Sequence, residues 1–176
     1  MSENPVLQGS TKKQRYESLV GALYQDVYRY AYWICKSQPM AEDLVQETFL
    51  RAWRSLDSLQ NDGAAKAWLF TILRRENARQ YERYRPELVD IEDQQLPEAR
   101  DQEPDSRVDS ELLHKAIGRL EPEYGEPLML QVVGGFSGKE IADILELNNN
   151  TVMTRLFRAR AKLREEFGLG AEPDEE

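Results

Sequence analysis

Residues 137–164 read SGKEIADILELNNNTVMTRLFRARAKLR, and this stretch decides the fold. Ser137 stands three places before Glu140, the form of a capping box. The serine hydroxyl accepts from a backbone N–H of the first helical turn, and the glutamate reaches back. Ile141, Ala142, Ile144 and Leu145 follow at helical spacing. Leu147 and three asparagines then make a turn. Asn148 caps a new helix that runs from near Asn149 to near Gly168. In that helix Val152, Leu156, Ala159 and Leu163 face a core, while Met153, Thr154, Phe157, Arg158 and Arg160 lie on other faces. A capped helix, a short turn and a second, arginine-rich helix form a helix-turn-helix pattern, whose second helix enters the major groove of duplex DNA. Arginine offers a bidentate fork to guanine or a charge to phosphate. The alternatives are a solvated basic face or one that docks an acidic partner; the capped helix and turn ahead of it favour DNA.

Charge across the rest of the chain bears on that reading. The 176 residues hold 23 Lys+Arg against 32 Asp+Glu, a formal net charge of −9 that taken alone argues against nucleic acid. The charge is uneven, however. Residues 86–111 hold 2 basic and 10 acidic groups, and the tail 169–176 carries four acids and no base. These two segments account for more than the whole net charge. Residues 66–85 hold six basic and two acidic groups, and residues 151–164 hold five basic groups and no acid. Locally, therefore, nucleic acid remains a candidate ligand.

Upstream of the opening stretch, the chain reads as all-α. Tyr16, Leu19, Val20, Leu23, Tyr24, Val27, Tyr30, Ala31 and Ile34 recur at three- and four-residue steps and draw one apolar stripe. Pro39 breaks that pattern and suits the start of a second helix over about 40–56. Leu44, Val45, Thr48, Phe49, Ala52, Trp53 and Leu56 point inward there. The other face carries Asp43, Gln46, Glu47, Leu50, Arg51 and Arg54. The turn-rich stretch DSLQNDG (57–63) leads to a third helix over about 64–84, which stops before Pro86. Residues 86–108 combine three prolines with dense acid, and cannot bury enough apolar surface to offset their ordering entropy. The second block opens with a short helix marked by Leu112, Leu113, Ala116, Ile117 and Leu120. Pro122 starts another, with Leu128, Met129, Val132 and Val133 inside, and Gly134-Gly135 ends it. Expected, then, are two small helical domains joined by an acidic flexible linker. The boundaries are a disordered 1–14, a first domain over 15–85, a linker over 86–108, a second domain over 109–168 and an acidic tail over 169–176.

FSGKEIADIL-ELNNNTVMTRLFRARAKLRE resembles region 4.2 of the sigma-70 family of RNA polymerase sigma factors, in particular its extracytoplasmic-function (ECF) group. AEDLVQETFLRAWRSL resembles region 2.2 of that group, and AKAWLFTILRRENARQYERYR resembles regions 2.3 and 2.4. The motifs stand in family order over about 15–85 and 109–167. The resemblance implies a region 2 helical bundle and a region 4 helix-turn-helix. It implies that Asp43, Gln46, Glu47, Leu50, Arg51 and Arg54 dock on the β′ clamp helices of core RNA polymerase, with the β flap a further contact. It puts Asn61, Lys66, Trp68, Phe70, Arg74, Arg75, Asn77 and Arg79 on the single-stranded −10 element, where aromatics stack on bases and cations meet phosphates. The 58–66 loop would capture a base flipped from the non-template strand. Trp68 and Phe70 have a core reading beside this one. Thr151, Met153, Thr154, Arg155, Phe157, Arg158 and Arg160 would read the −35 duplex. An anti-sigma factor is the further partner implied. Departures from the family pattern occur at Arg75, Asn150 and Met153, where an asparagine, a glycine and a basic residue are common.

Other chemistry is sparse. One cysteine, Cys35, and one histidine, His114, exclude a disulfide within the chain, a Cys-rich zinc site and any two-histidine metal site. The phosphate-loop likeness of residues 134–139 fails, because Glu140 follows Gly138-Lys139 where Ser or Thr is required. No catalytic residue, cofactor or metal is expected. There is no apolar stretch for a membrane helix and no signal-like N-terminus, so a cytoplasmic protein is expected. Two other classes compete with the sigma-factor reading. A self-sufficient DNA-binding regulator would not require the 42–54 face together with a basic, aromatic third helix. An all-helical adaptor would not require an acid-free 151–164.

Overall fold

Thr11 starts the first helix, α1 (Lys12–Cys35), in the computed structural model, which describes residues 11–83 and 104–168. The Thr11 hydroxyl accepts from the Gln14 N–H and the Gln14 side chain accepts from the Thr11 N–H. This reciprocal cap satisfies two helix-end donors, so Lys12–Gln14, expected in a disordered lead-in, lie in α1 with Thr11 as its cap. Lys36, in the left-handed region at φ 52°, closes the helix. Helix α2 (Gln38–Ser55) opens with Pro39 in its first turn. Two 3-10 turns, Leu56–Ser58 and Asp62–Ala64, carry the chain to α3 (Ala65–Arg83).

The chain divides into two units, Met1–Gln94 and Gln95–Glu176. In the first, Val27, Tyr30, Ala31, Leu44, Leu69, Phe70 and Leu73 are fully buried between the three helices. The Tyr30 and Phe70 rings meet at 5.3 Å. Burying a side chain of this size contributes roughly 1.5–3 kcal/mol. A smaller cluster of Leu56, Leu59 and Ala65 lies under the 3-10 turns, with Tyr16, Leu19 and Trp68 packed on it. Trp53, expected inward, is 38% exposed. Its ring meets Tyr16 edge-on at 5.1 Å, and the Lys12 ammonium lies 4.8 Å from its centroid.

The second unit holds α4 (Pro104–Arg119), α5 (Pro122–Gly134), α6 (Gly138–Leu145) and α7 (Asn149–Glu166). Helix α4 begins five residues inside the expected linker, with a proline at its first position, where the missing N–H is no loss. Ile117, Met129, Leu130, Ile141, Val152 and Leu156 form the core. Val132, expected inside, is exposed; Leu130 holds a core place on α5 instead. Gly135 ends α5 at φ 65°. Gly134 is required by packing, since a Cβ there would overlap the Phe136 ring. The described residues contain no β-strand. Residues 1–10, the linker through 103 and the acidic tail lie outside the described residues.

Candidate nucleic-acid interface

Two caps and one tight turn set the angle of α7. Ser137 accepts from the Glu140 N–H at 3.2 Å, and the Glu140 carboxylate accepts from the Ser137 N–H at 2.7 Å. Glu146 turns the chain at φ 55°, and Asn148 Oδ1 accepts from the Asn150 N–H at 2.7 Å. Val152, Leu156, Ala159 and Leu163 are buried, as their spacing predicts. The remaining face carries Met153, Thr154, Phe157, Arg158 and Arg160, all exposed, with Thr151 and Arg155 half-buried at its edge. Arg155 and Arg158 form no ion pair among the described residues. Arg160 donates to Gln131 Oε1 on α5. Lys162 pairs with Glu121 at 3.3 Å and lies 5.2 Å from the Tyr124 ring. The Glu121 carboxyl is held below its ordinary value by its own backbone N–H, and then by Lys162.

The α2 face is less uniform than its sequence. Asp43, Gln46, Leu50 and Arg54 are exposed, but Glu47 and Arg51 are half-buried. Arg51 Nε stands 3.2 Å from Glu47 and 3.0 Å from Glu76 on α3. The Glu76 side chain is only 6% exposed and is shared with Arg79. A carboxylate taken out of water needs such partners. Arg51 therefore ties α2 to α3. Sequence does not single out Glu76, because its position in a run of arginines masks its burial.

Helix α3 sorts the expected −10 residues. Phe70 is fully buried against Tyr30, so no base can stack on it while the bundle is packed, and it leaves the candidate set. Trp68 is half-buried on the Leu56 cluster. Lys66 pairs with Asp26 at 2.8 Å, Arg79 with Glu76, and Arg74 and Arg75 are engaged as well. Asn77 accepts from the Cys35 thiol at 3.9 Å. Burial pushes that thiol up to about 11. Asn61 is exposed at the loop tip, its Oδ1 accepting from the Gly63 N–H at 2.9 Å. Arg15 pins this loop by donating to the Leu59 carbonyl at 2.6 Å and to Asp62 at 2.7 Å. These partners lie more than 40 residues away in sequence, so no local signal announces them. Beside the loop runs a groove of about 320 Å³ lined by Leu19, Leu23, Leu59 and Lys66. Among the described residues no cluster of His, Cys, Asp or Glu is arranged to hold a metal, and no helix is long and apolar enough to cross a membrane.

A basic helix-turn-helix face, carried on a chain with a further three-helix unit, defines a DNA-binding class. Comparison with known proteins gives the family. Residues 19–87 match the model of Sigma-70 region 2, and residues 110–163 match that of Sigma-70, region 4. The chain is 32% identical over 140 residues to RNA polymerase sigma factor SigV of Bacillus subtilis, covering 80% of this chain and 83% of that protein. It is 36% identical to ECF RNA polymerase sigma factor EcfG of Rhodopseudomonas palustris, over 70% of this chain and 68% of the relative. Among solved structures, that of the sigma factor RpoE in complex with the anti-sigma factor NepR from Bartonella quintana matches with a TM-score of 0.69 and 30% identity. The match covers 90% of this chain and 98% of RpoE. The chain belongs to the sigma-70 family of RNA polymerase sigma factors, in its ECF group.

Proposed function

We propose that this chain is a dissociable subunit of RNA polymerase that directs initiation at promoters carrying both a −35 and a −10 element. The observation that carries this is the order of two family matches along one chain, the second ending in a helix on which Arg155 and Arg158 have no acidic partner among the described residues. In this reading residues 109–168 hold the −35 duplex. Thr151, Thr154, Arg155, Arg158 and Arg160 supply hydrogen bonds and charge, and Met153 and Phe157 supply apolar contact. The first unit binds the β′ clamp helices through Asp43, Gln46, Leu50 and Arg54, with Glu47 and Arg51 at the edge. It takes up the single-stranded −10 element along α3 through Lys66, Trp68, Arg74, Arg75, Asn77 and Arg79. The groove beside Asn61 gives a flipped base an apolar seat. The acidic residues 86–103 lie between α3 and α4 in sequence.

The chain acts as an initiation factor and not as a catalyst: the phosphodiester chemistry is the polymerase's own, and the site of action is the cytoplasm, where polymerase and promoters meet. An anti-sigma factor is the regulatory partner, a reading supported by the complex in which the similar RpoE was solved. Pull-down with core RNA polymerase followed by run-off transcription tests the central claim. Stable capture and promoter-dependent transcripts are expected; a chain that binds promoter DNA tightly but never binds core polymerase would instead be a self-sufficient regulator. Purification from the native host should bring down an anti-sigma partner in addition to polymerase subunits.

A further inference from the structure

The α7 face is an unusual mixture. Met153 is 51% exposed and Phe157 is 67% exposed. They stand one turn apart, flanked by Thr154 and Arg158. Single exposed apolar residues need no explanation, but two at i and i+4 on the polar face of α7 form a stripe. Four residues of helix advance about 6 Å, close to two base-pair steps at ~3.4 Å each. The thymine methyl is the apolar group that the major groove presents on a base edge.

Met153 also has a made seat. A Cβ at Gly138, the first residue of α6, would lie 2.8 Å from Met153 Sδ. Gly138 has no positive φ to account for its presence, and the first position of a helix readily takes other residues. What the glycine provides is room for the thioether, whose sulfur lies close against the start of α6; a Cβ there would push this flexible side chain aside. An unbranched thioether is well suited to close apolar contact with a small methyl group.

Building on the −35 assignment above, we propose that Met153, seated over Gly138, determines specificity by reading the 5-methyl group of a thymine, with Phe157 making a second apolar contact about two base pairs away. A basic side chain at 153 would seek a guanine edge or a phosphate; methionine can do neither and offers an apolar contact instead.

The test uses holoenzyme assembled from core polymerase and the full chain. A duplex library randomised over the −35 region upstream of a fixed −10 region is selected for binding. Each thymine of the recovered sequence is then replaced singly by deoxyuridine, which removes the methyl and nothing else. Burial of one methyl corresponds to about a four-fold change in an equilibrium constant. The expected result is a loss of about that size at one thymine, absent in Met153→Ala and reduced in Gly138→Ala, which displaces the thioether while leaving the cap intact. A second, smaller loss about two base pairs away should vanish in Phe157→Ala. Uniform tolerance of deoxyuridine, or a full penalty persisting in Met153→Ala, overturns the proposal while leaving −35 recognition standing. A library from which nothing is enriched overturns both. Loss of core-polymerase binding in Met153→Ala, with the deoxyuridine response intact, would make the stripe a protein contact instead.

Discussion

Two basic helices in this molecule have similar charge and opposite circumstances. On α3 Lys66 and Arg79 are turned to internal use. Lys66 holds Asp26 on α1, and Arg79 with Arg51 holds the buried Glu76. On α7 Arg155 and Arg158 form no ion pair among the described residues, and the exposed side chains of Met153 and Phe157 stand beside them. A count of positive charge cannot separate these cases, because the two segments score almost alike. What separates them is the position of acids on neighbouring helices. Cations already in a pair must break it before meeting a phosphate, so Lys66 and Arg79 would meet nucleic acid only by exchanging partners, whereas Arg155 and Arg158 have no ion pair to break among the described residues.

Replacing Phe70 presses hardest on this contrast. Phe70→Ala removes a fully buried ring and should destabilise the first unit by about 3–5 kcal/mol, read by urea unfolding. Promoter opening would fall only in proportion to the folded fraction. A variant that unfolds like the parent yet fails to open promoters would return Phe70 to the −10 surface and erase the distinction drawn for α3.

On the open helix the expected signature is reversed. Arg158→Ala should leave urea unfolding unchanged, lower −35 affinity by about 1–3 kcal/mol and relax specificity at one base pair. Arg160→Ala should weaken all promoters alike, since a side chain already hydrogen-bonded to Gln131 is placed as a phosphate anchor. Equal, sequence-independent losses from both would mean that neither arginine touches a base.

Glu76→Gln tests the closed network. It removes the charge that holds Arg51 and Arg79, whose side chains are 38% and 48% exposed and so regain water. The loss of stability should be about 1–2 kcal/mol, below that of a fully buried pair. Binding to core polymerase should weaken as well, because α2 loses its tie to α3. Unchanged stability would show the pairs to be incidental.

How far sequence can reach follows the same division. The helix-turn-helix is legible down to single residues. Ser137, Glu140, Asn148 and the Val152-Leu156-Ala159-Leu163 stripe depend only on neighbours within a turn or two, which spacing encodes directly. The first unit is legible as three helices, but its interface residues are not, for its decisive contacts join distant segments. Arg15 reaches the 59–62 loop, and Arg51 reaches Glu76. Phe70 carries two readings because an aromatic among arginines suits a core and a melted strand equally. The Thr11–Gln14 cap is local and readable, yet it lies before the apolar stripe begins, so periodicity alone starts the helix too late.

Lys162 gives the smallest and sharpest test, because it is a paired cation on the open helix. Its partner Glu121 and the pair itself are exposed, with side chains at 41% and 59%, so Lys162→Met should leave the urea midpoint essentially unchanged. The acid side has a fixed sign. A carboxyl held below its ordinary value stabilises the fold above the usual glutamate range and loses that contribution as pH falls through the lowered value. The backbone N–H is the larger cause of the lowering at Glu121, so most of this acid sensitivity should survive the substitution, as a titration followed by NMR would record. The salt dependence of promoter binding then separates paired from free. Removing one cation that neutralises a phosphate reduces the slope of log affinity against log salt by about one. Arg155→Ala should show that reduction and Lys162→Met should not. If Lys162→Met lowers the slope equally, an exposed ion pair is no barrier to phosphate binding, and the paired cations of α3 regain equal standing with the free ones of α7.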